Sequence, residues 1–183
     1  ALTGLTLTSG VYCSTDGTFT IGKLGYVTLD AKNVTGAVWV FQTSSSVTTA
    51  ASSSVIFRNE ALAKNVYWAI AGNLNIGYDS LFAGNALVQS YIKFAAYSTF
   101  HGRALSLAAI TFAGFSTAGL PSGTLVTVYP TVSVGLGSCS AFAVMAGTTL
   151  GFELALTVVT TLSVGISPGT AITGNYRVEG EWV

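Results

Sequence analysis

The sequence predicts an all-β protein, a parallel β-helix whose coils of about 18 residues each carry three short strands. Two observations lead to this prediction. Short segments recur at a constant interval along the chain, and within each segment apolar residues alternate with small or polar ones. Such alternation is typical of a strand with one buried face, and the interval is too short for the common helical repeats. A β-sandwich is the weaker alternative, because its turns would be irregular and its segments would not align in columns.

The repeat is clearest in the segments 74–77, 92–95 and 110–113. The segment 19–22 has the same phase, and 47–50 joins it if an insertion of ten residues is allowed. In a β-helix successive coils stack about 4.7–4.9 Å apart, so aligned residues form ladders along the axis. The chain is therefore expected to fold as one solenoid domain over residues 1–183.

The alternation divides these ladders between the interior and the surface. The inward ladders are apolar: Phe19, Val47, Leu74, Ile92 and Ile110, then Ile21, Thr49, Ile76, Phe94 and Phe112. The outward ladders carry small or hydroxyl-bearing residues: Thr20, Thr48, Asn75, Lys93 and Thr111, then Gly22, Ala50, Gly77, Ala95 and Ala113. With Thr18 beside them and with Lys93 as the interruption, the outward residues form a flat surface of low charge, which is the candidate binding surface.

A second strip is apolar on both faces of its predicted strands. It consists of the segments 38–41 and 66–68, which contain Trp39, Phe41 and Trp68. A strand of that kind needs cover on its outer face as well. We expect another segment or a partner to pack over it.

Only 14 of 183 residues are charged, about 8%, and the formal net charge is zero. An ordinary globular domain carries about 25% charged residues. Scattered Lys and Arg give no electrostatic footprint for a phosphate backbone or an anionic bilayer, so no nucleic-acid or membrane partner is expected. The uncharged stretch 104–152 contains two prolines and several glycines, which argues against membrane-spanning helices.

The residues that carry catalytic chemistry are few and scattered. No two of the seven acidic residues share a ladder position, His101 is the single histidine, and no metal-ligand spacing is present. The sequence therefore predicts a protein that is not an enzyme and needs no cofactor or metal.

Cys13 and Cys139 allow one disulfide; the alternative is two small buried thiols. The low charge favours the bridge and an oxidising, extracellular location.

A flat, uncharged, periodic surface suits a ligand that is itself a flat periodic array, such as ice or a crystalline polysaccharide. Charged groups hold their own hydration shells, so a surface that orders water would avoid them. The plain alternative is an exposed strand rich in threonine because β-branched residues suit sheets.

Several segments, taken together, resemble the β-solenoid ice-binding proteins of cold-adapted microbes. They are 5–12, 37–42, 63–68, 82–85, 101–105, 142–147 and 164–174. The resemblance implies a right-handed, three-faced β-helix whose coil order in space differs from sequence order. It also implies thermal hysteresis or inhibition of ice recrystallisation by a monomer that binds ice through the face identified above.

The chain departs from this family in two ways. Segments 142–147 and 164–174 follow the segment 5–12 here, whereas in the family they precede it. This order predicts a circular permutation, with residues 118–137 as the connector between the family's usual ends. The family's long helix, which lies along the strip of Trp39, Phe41 and Trp68, has no counterpart in the sequence.

Overall fold

The protein is described from a computed structural model. The structure describes residues 1–114 and 116–119 and, beyond them, the backbone of strands in the stretches 142–146, 149–153, 157–160, 163–166, 171–173 and 176–178. Side chains are described for residues 1–114 and 116.

The described strands follow one another around successive coils. The first three coils hold three strands each: β1 (Thr6–Leu7), β2 (Gly10–Cys13) and β3 (Phe19–Ile21), then β4 (Tyr26–Asp30), β5 (Trp39–Thr43) and β6 (Val47–Thr49), then β7 (Ser54–Arg58), β8 (Val66–Ile70) and β9 (Leu74–Ile76). The next two coils hold a long and a short strand: β10 (Leu81–Val88) and β11 (Ile92–Phe94), then β12 (Thr99–Ser106) and β13 (Ile110–Ala113).

The remaining described strands continue the series. They are β14 (Thr117–Gly119), β15 (Phe142–Ala146), β16 (Thr149–Glu153), β17 (Thr157–Thr160), β18 (Ser163–Ile166), β19 (Ala171–Thr173) and β20 (Tyr176–Val178). Residues 118 and 119, expected to open the connector, belong to β14, and the rest of the connector lies outside the described residues.

Every described strand pairing is parallel, which confirms the β-helix and excludes the sandwich. The strands form three faces. The first face runs through β1, β4 and β7, and the second through β2, β5 and β8. Both continue into β10 and β12, which bend from one face to the other. The third face is a separate seven-stranded sheet of β3, β6, β9, β11, β13, β16 and β19.

The bend in β10 and β12 depends on two stacked glycines. Gly84 has φ of 120°, and Gly102 lies directly beside it in the next coil. A Cβ atom on Gly102 would overlap the carbonyl oxygen of Gly84. In the second and third coils the same corner is instead made by the loops 31–38 and 59–65, which is where the inserted residues of the repeat lie.

The interior is a column of aromatic and aliphatic side chains. The rings of Phe41 and Trp68 stack with centroids 4.1 Å apart, and those of Phe94 and Phe112 stack at 4.3 Å. The Trp68 indole N–H donates to the carbonyl of Ala83 at 3.0 Å. Apolar burial along this column is the main source of stability.

Trp39, Phe41 and Trp68 lie on the inward side of this strip, and all three are fully buried inside the solenoid. On the outward side Val38 is exposed, and the cover expected there stays a prediction. The second and third coils are longer than the fourth and fifth, and these large rings fill their interior. The outward residues of these strands are smaller or amphipathic, such as Val40 and Tyr67. The C-terminal segment through Trp182, one candidate for this cover, lies outside the described residues.

The expected difference between spatial and sequence order of the coils is wrong. The strands of the third face are stacked in sequence order from β3 to β19. Short corner turns lead each of the first five coils into the next, and β15 and β16 pair directly with β12 and β13. The circular permutation relative to the family is a separate matter and stays a prediction.

Candidate functional site

The third face carries the ladders that the repeat predicts. Thr20 pairs with Thr48, Thr48 with Asn75, Asn75 with Lys93, and Lys93 with Thr111. The strands are three or four residues long in the first five coils, so the face is narrow. Their parallel register holds the outward side chains in straight columns.

The predicted site residues all lie outward on this one face. Thr20 and Thr48 are exposed, and the others are half-buried: Thr18, Gly22, Ala50, Asn75, Gly77, Ala95, Thr111 and Ala113. The half-burial follows from their small size, since neighbouring coils stand only about 4.8 Å away. The result is a surface of short side chains.

Sequence reasoning missed a third outward column on the same face. The amide of Phe19 donates to the carbonyl of Ser46, that of Val47 to Asn73, that of Leu74 to Tyr91, and that of Ile92 to Ala109. These bonds align Thr18 with Ser46, Asn73, Tyr91 and Ala109. The alternation in the sequence could have revealed this column. Each of its residues immediately precedes an inward residue and stands two positions before an outward residue.

We call the first three rows of these columns the nine-residue array. It consists of Thr18, Thr20 and Gly22 in the first coil, Ser46, Thr48 and Ala50 in the second, and Asn73, Asn75 and Gly77 in the third. Six of the nine carry a hydroxyl or an amide, and none is charged.

The corner that precedes the array is fixed by a carboxylate. The backbone N–H of Thr18 donates to Asp16 Oδ1 at 3.0 Å, and the Ser14 hydroxyl donates to the same oxygen at 2.5 Å. These hydrogen bonds, with that of Ser14 the largest, lower the pKa of Asp16 to about 2. The turn that presents Thr18 is thus held by an ionised side chain.

The corner that follows the face contains a buried ladder of serines. Ser98 and Ser116 lie with their hydroxyl oxygens 3.4 Å apart, and Ser53 and Ser80 at 3.2 Å. Ser80 and Ser116 also donate to backbone carbonyls, those of Ala50 and Ala95 among them. Beside this ladder Leu24, Ser52, Asp79 and Tyr97 all adopt positive φ. The corner therefore repeats the same turn from coil to coil.

Charge on the third face is confined, among its described side chains, to Lys93. It is exposed, and within the described residues it makes no ion pair. The ion pair between Lys32 and Asp30 lies at a different corner, where the backbone N–H of Lys32 and the amide of Asn59 lower the pKa of Asp30.

Residues able to bind a metal ion do not cluster near this surface in the described part of the chain. The part of the chain that the structure describes contains no group of three His, Cys, Asp or Glu side chains able to hold a metal ion. His101 lies within β12, on the first face, opposite Ala83. Among the described residues no helix has the length and apolar character needed to cross a bilayer.

The thiol of Cys13 is exposed and makes no disulfide within the described residues, so the alternative of a buried thiol is wrong at this position. Cys139 lies outside the described residues, and its pairing with Cys13 stays a prediction.

Comparison with known proteins points in one direction. The sequence model that defines the ice-binding-like family matches residues 1–116 of this chain. Ice-binding protein 1 of Shewanella frigidimarina (strain NCIMB 400) is 33% identical over 108 residues, which is 58% of this chain and 12% of that protein.

Two solved structures are similar in fold. An ice-binding protein from an Antarctic biological consortium has a TM-score of 0.62 at 33% identity, covering 66% of this chain and 53% of that one. An ice-binding protein from an Antarctic bacterium of the Flavobacteriaceae has a TM-score of 0.60 at 25% identity. The match covers 98% of this chain and 42% of that one. The chain thus spans about half the length of these structures or less. Because the family match covers more than half of its residues, the chain belongs to the ice-binding-like family.

Proposed function

We propose that this protein binds ice through the third face of its β-helix. The observation that carries the proposal is the nine-residue array, in which Thr20, Thr48 and Asn75 stand in register with small or polar neighbours on both sides. Relatives that match the chain are named ice-binding proteins, which supports the same function.

The array suits ice because its spacing is regular in two directions. Rows are about 4.8 Å apart and alternate residues of a strand about 6.6 Å apart. Hydroxyl and amide groups can each hold a bridging water, whose hydrogen bonds are nearly as favourable as direct ones. The small apolar groups between them leave water free to bond to its own neighbours. Ordered water on this grid then joins the crystal.

Adsorption gives the expected activity without any chemical step. Ice can grow only between bound molecules, where its front curves, and curvature lowers the local freezing point. We expect thermal hysteresis and inhibition of ice recrystallisation, with no turnover and no cofactor.

The test is to follow a seed crystal under a cryomicroscope in the presence of the purified protein. The wild type should stop growth below the melting point. Thr48→Tyr should abolish this effect, because a bulky ring in the centre of the array prevents a flat crystal from approaching.

A matched control is Thr6→Tyr, which places the same ring at an exposed strand position on the first face. This variant should keep the hysteresis of the wild type. Equal loss in both variants, or none in Thr48→Tyr, would move the site away from the third face. Circular dichroism should be unchanged in both.

The alternative is a carbohydrate-binding or adhesin-like solenoid. Tyr78 and Tyr97 favour it, because these exposed rings pack edge to face at 5.3 Å beside the third face. Such a protein would be retained on insoluble glycans and would leave ice growth unaffected.

Secretion and a monomeric state belong to the same proposal. A protein that meets ice outside the cell would be exported, and a monomer leaves the third face uncovered. Sedimentation of the purified chain tests the second expectation.

A further inference from the structure

The fourth coil interrupts the third face. Its outward residues are Tyr91 and Lys93, with Ala95 at the edge. Tyr91 is 39% exposed, and Lys93 is exposed and without an ion pair among the described residues. Every other outward residue of the face within the first five coils is Gly, Ala, Ser, Thr or Asn.

This fourth-coil row of Tyr91, Lys93 and Ala95 affects contact with ice because an ice surface is flat and rigid. Side chains in a strand stand roughly perpendicular to the sheet, so the long side chain of Lys93 and the ring of Tyr91 rise above their neighbours. The ammonium group is also strongly hydrated and holds water in its own shell. A flat crystal that contacts the third coil cannot contact the fifth coil without displacing both side chains.

The two sides of this row differ in chemistry. The nine-residue array has six hydroxyl or amide side chains in three rows. The fifth coil offers Thr111 between Ala109 and Ala113. In the next strand the register places Gly151 opposite Thr111 and the acidic Glu153 opposite Ala113. Further along, β16 begins at Thr149 and the register places Thr173 opposite Gly151. Uncharged hydrogen-bonding residues are therefore denser before the row, where they fill six of nine positions, than beyond it.

We infer that Tyr91 and Lys93 confine ice contact to the first three coils and so determine how much of the third face is used. The inference depends on the proposed function and sharpens it. Thr20, Thr48 and Asn75 contact ice, whereas Thr111, although it lies in the same column, does not.

The first test compares one substitution on each side of the row. Thr48→Tyr should lose hysteresis, whereas Thr111→Tyr should retain it, because the crystal does not reach the fifth coil. Loss in both variants, with melting temperatures unchanged, would overturn the inference and leave the proposed function standing. A wild type without hysteresis would overturn both.

The second test removes the row. The double variant Tyr91→Ser with Lys93→Thr should raise hysteresis by about twofold or more at equal concentration, because contact energy scales with the area that touches. In that background Thr111→Tyr should become damaging. Activity equal to the wild type would overturn the inference.

Controls for the double variant come from other parts of the surface. Lys64→Thr removes an exposed lysine from the short helical turn Ala63–Asn65, and Tyr26→Ser removes an exposed tyrosine from the first face. Neither should change hysteresis. A similar rise in these controls would mean that charge or aromatic content in general, and not the fourth-coil row, limits the activity.

Discussion

Two glycines of one outward column have different reasons to be glycine. A Cβ atom on Gly77 would lie 2.5 Å from the carbonyl oxygen of Thr49 and 2.6 Å from the carbonyl carbon of Ala50. Both are backbone atoms of the preceding coil, so they can give way only if the two coils separate. A Cβ atom on Gly22 would meet only the end of the Thr3 side chain, at 3.4 Å. Gly77 is therefore required by packing between coils, and Gly22 is not.

Replacement by alanine separates these two cases. Gly77→Ala should lower the free energy of unfolding by about 1–3 kcal/mol, as expected for overpacking, because two coils must separate locally. Gly22→Ala should change it by less than about 0.5 kcal/mol, as at an ordinary surface position. Urea denaturation measures both. Equal effects would contradict the proposed close approach at Gly77.

Sequence reasoning at the level of single residues worked where alternation was strict. The inward and outward positions of β6 and β9 follow directly from the period of two. The same reasoning could not assign Trp39 and Trp68 to the inward or the outward side. Their strands are apolar on both sides and so show no alternation. Size could have decided the question, since the interior of a long coil must be filled and only large rings can fill it.

At the scale of the element, the turn between β2 and β3 shows how a corner presents the array. Asp16 accepts hydrogen bonds from both Ser14 and Thr18. The pKa of Asp16 is about 2 in the folded chain, against an ordinary value of 3.8. A carboxyl whose pKa is lower in the folded than in the unfolded chain stabilises the fold above its unfolded pKa. That contribution is lost as the pH falls through about 2.

This sign gives a pH prediction. The stability of the wild type should fall between about pH 4 and pH 2, and Asp16→Asn should be less stable at neutral pH but show a smaller fall. Thermal melts across this range measure it. Ser14→Ala, which removes the largest contribution to the low pKa, should lie between the two. A wild type and an Asp16→Asn variant with parallel pH profiles would contradict the role given to this turn.

The sequence predicted strands better than it predicted corners. Columns of the third face were predictable because backbone hydrogen bonding forces residues of equal phase into register. The corner between the first and second faces was not, because it is solved in two ways. β10 and β12 cross it through stacked glycines, whereas two other coils use loops. The positive φ of Leu24 and Tyr97 also has no signature in residue type.

For the whole molecule, the scarcity of charge has a thermodynamic consequence. One ion pair, Lys32 with Asp30, is present among the described residues. The fold therefore depends on apolar burial and backbone hydrogen bonds, neither of which is screened by salt. Electrostatic stabilisation of a protein surface, in contrast, weakens as ionic strength rises.

We expect the free energy of unfolding at pH 7 to change by less than about 0.5 kcal/mol between about 0.02 and 0.3 M NaCl. Chemical denaturation in urea at each salt concentration tests this. Urea suits the measurement because it is uncharged. A marked loss of stability with salt would mean that charged groups contribute more to the fold than the ion pair described here.

The overall architecture was predictable because a repeat fixes a fold almost by itself. Columns that recur at a constant interval along the chain predicted parallel coils and the composition of one face. The order in which the coils stack was not predictable. Resemblance to a family indicates which kind of coil forms, but it does not specify how the coils connect. Spatial order depends on which turns are short, and the structure shows short turns between the first five coils.

The register of the third face has an evolutionary consequence. The grid of outward positions is set by hydrogen bonds between main chains, so outside Gly77, where a Cβ atom would push two coils apart, it does not depend on which small residue occupies each position. Thr48 could be exchanged for serine, or Ala50 for glycine, without moving any neighbouring point of the grid. Selection can therefore act on each position separately, and a lineage could retune this surface one substitution at a time while its geometry is inherited unchanged.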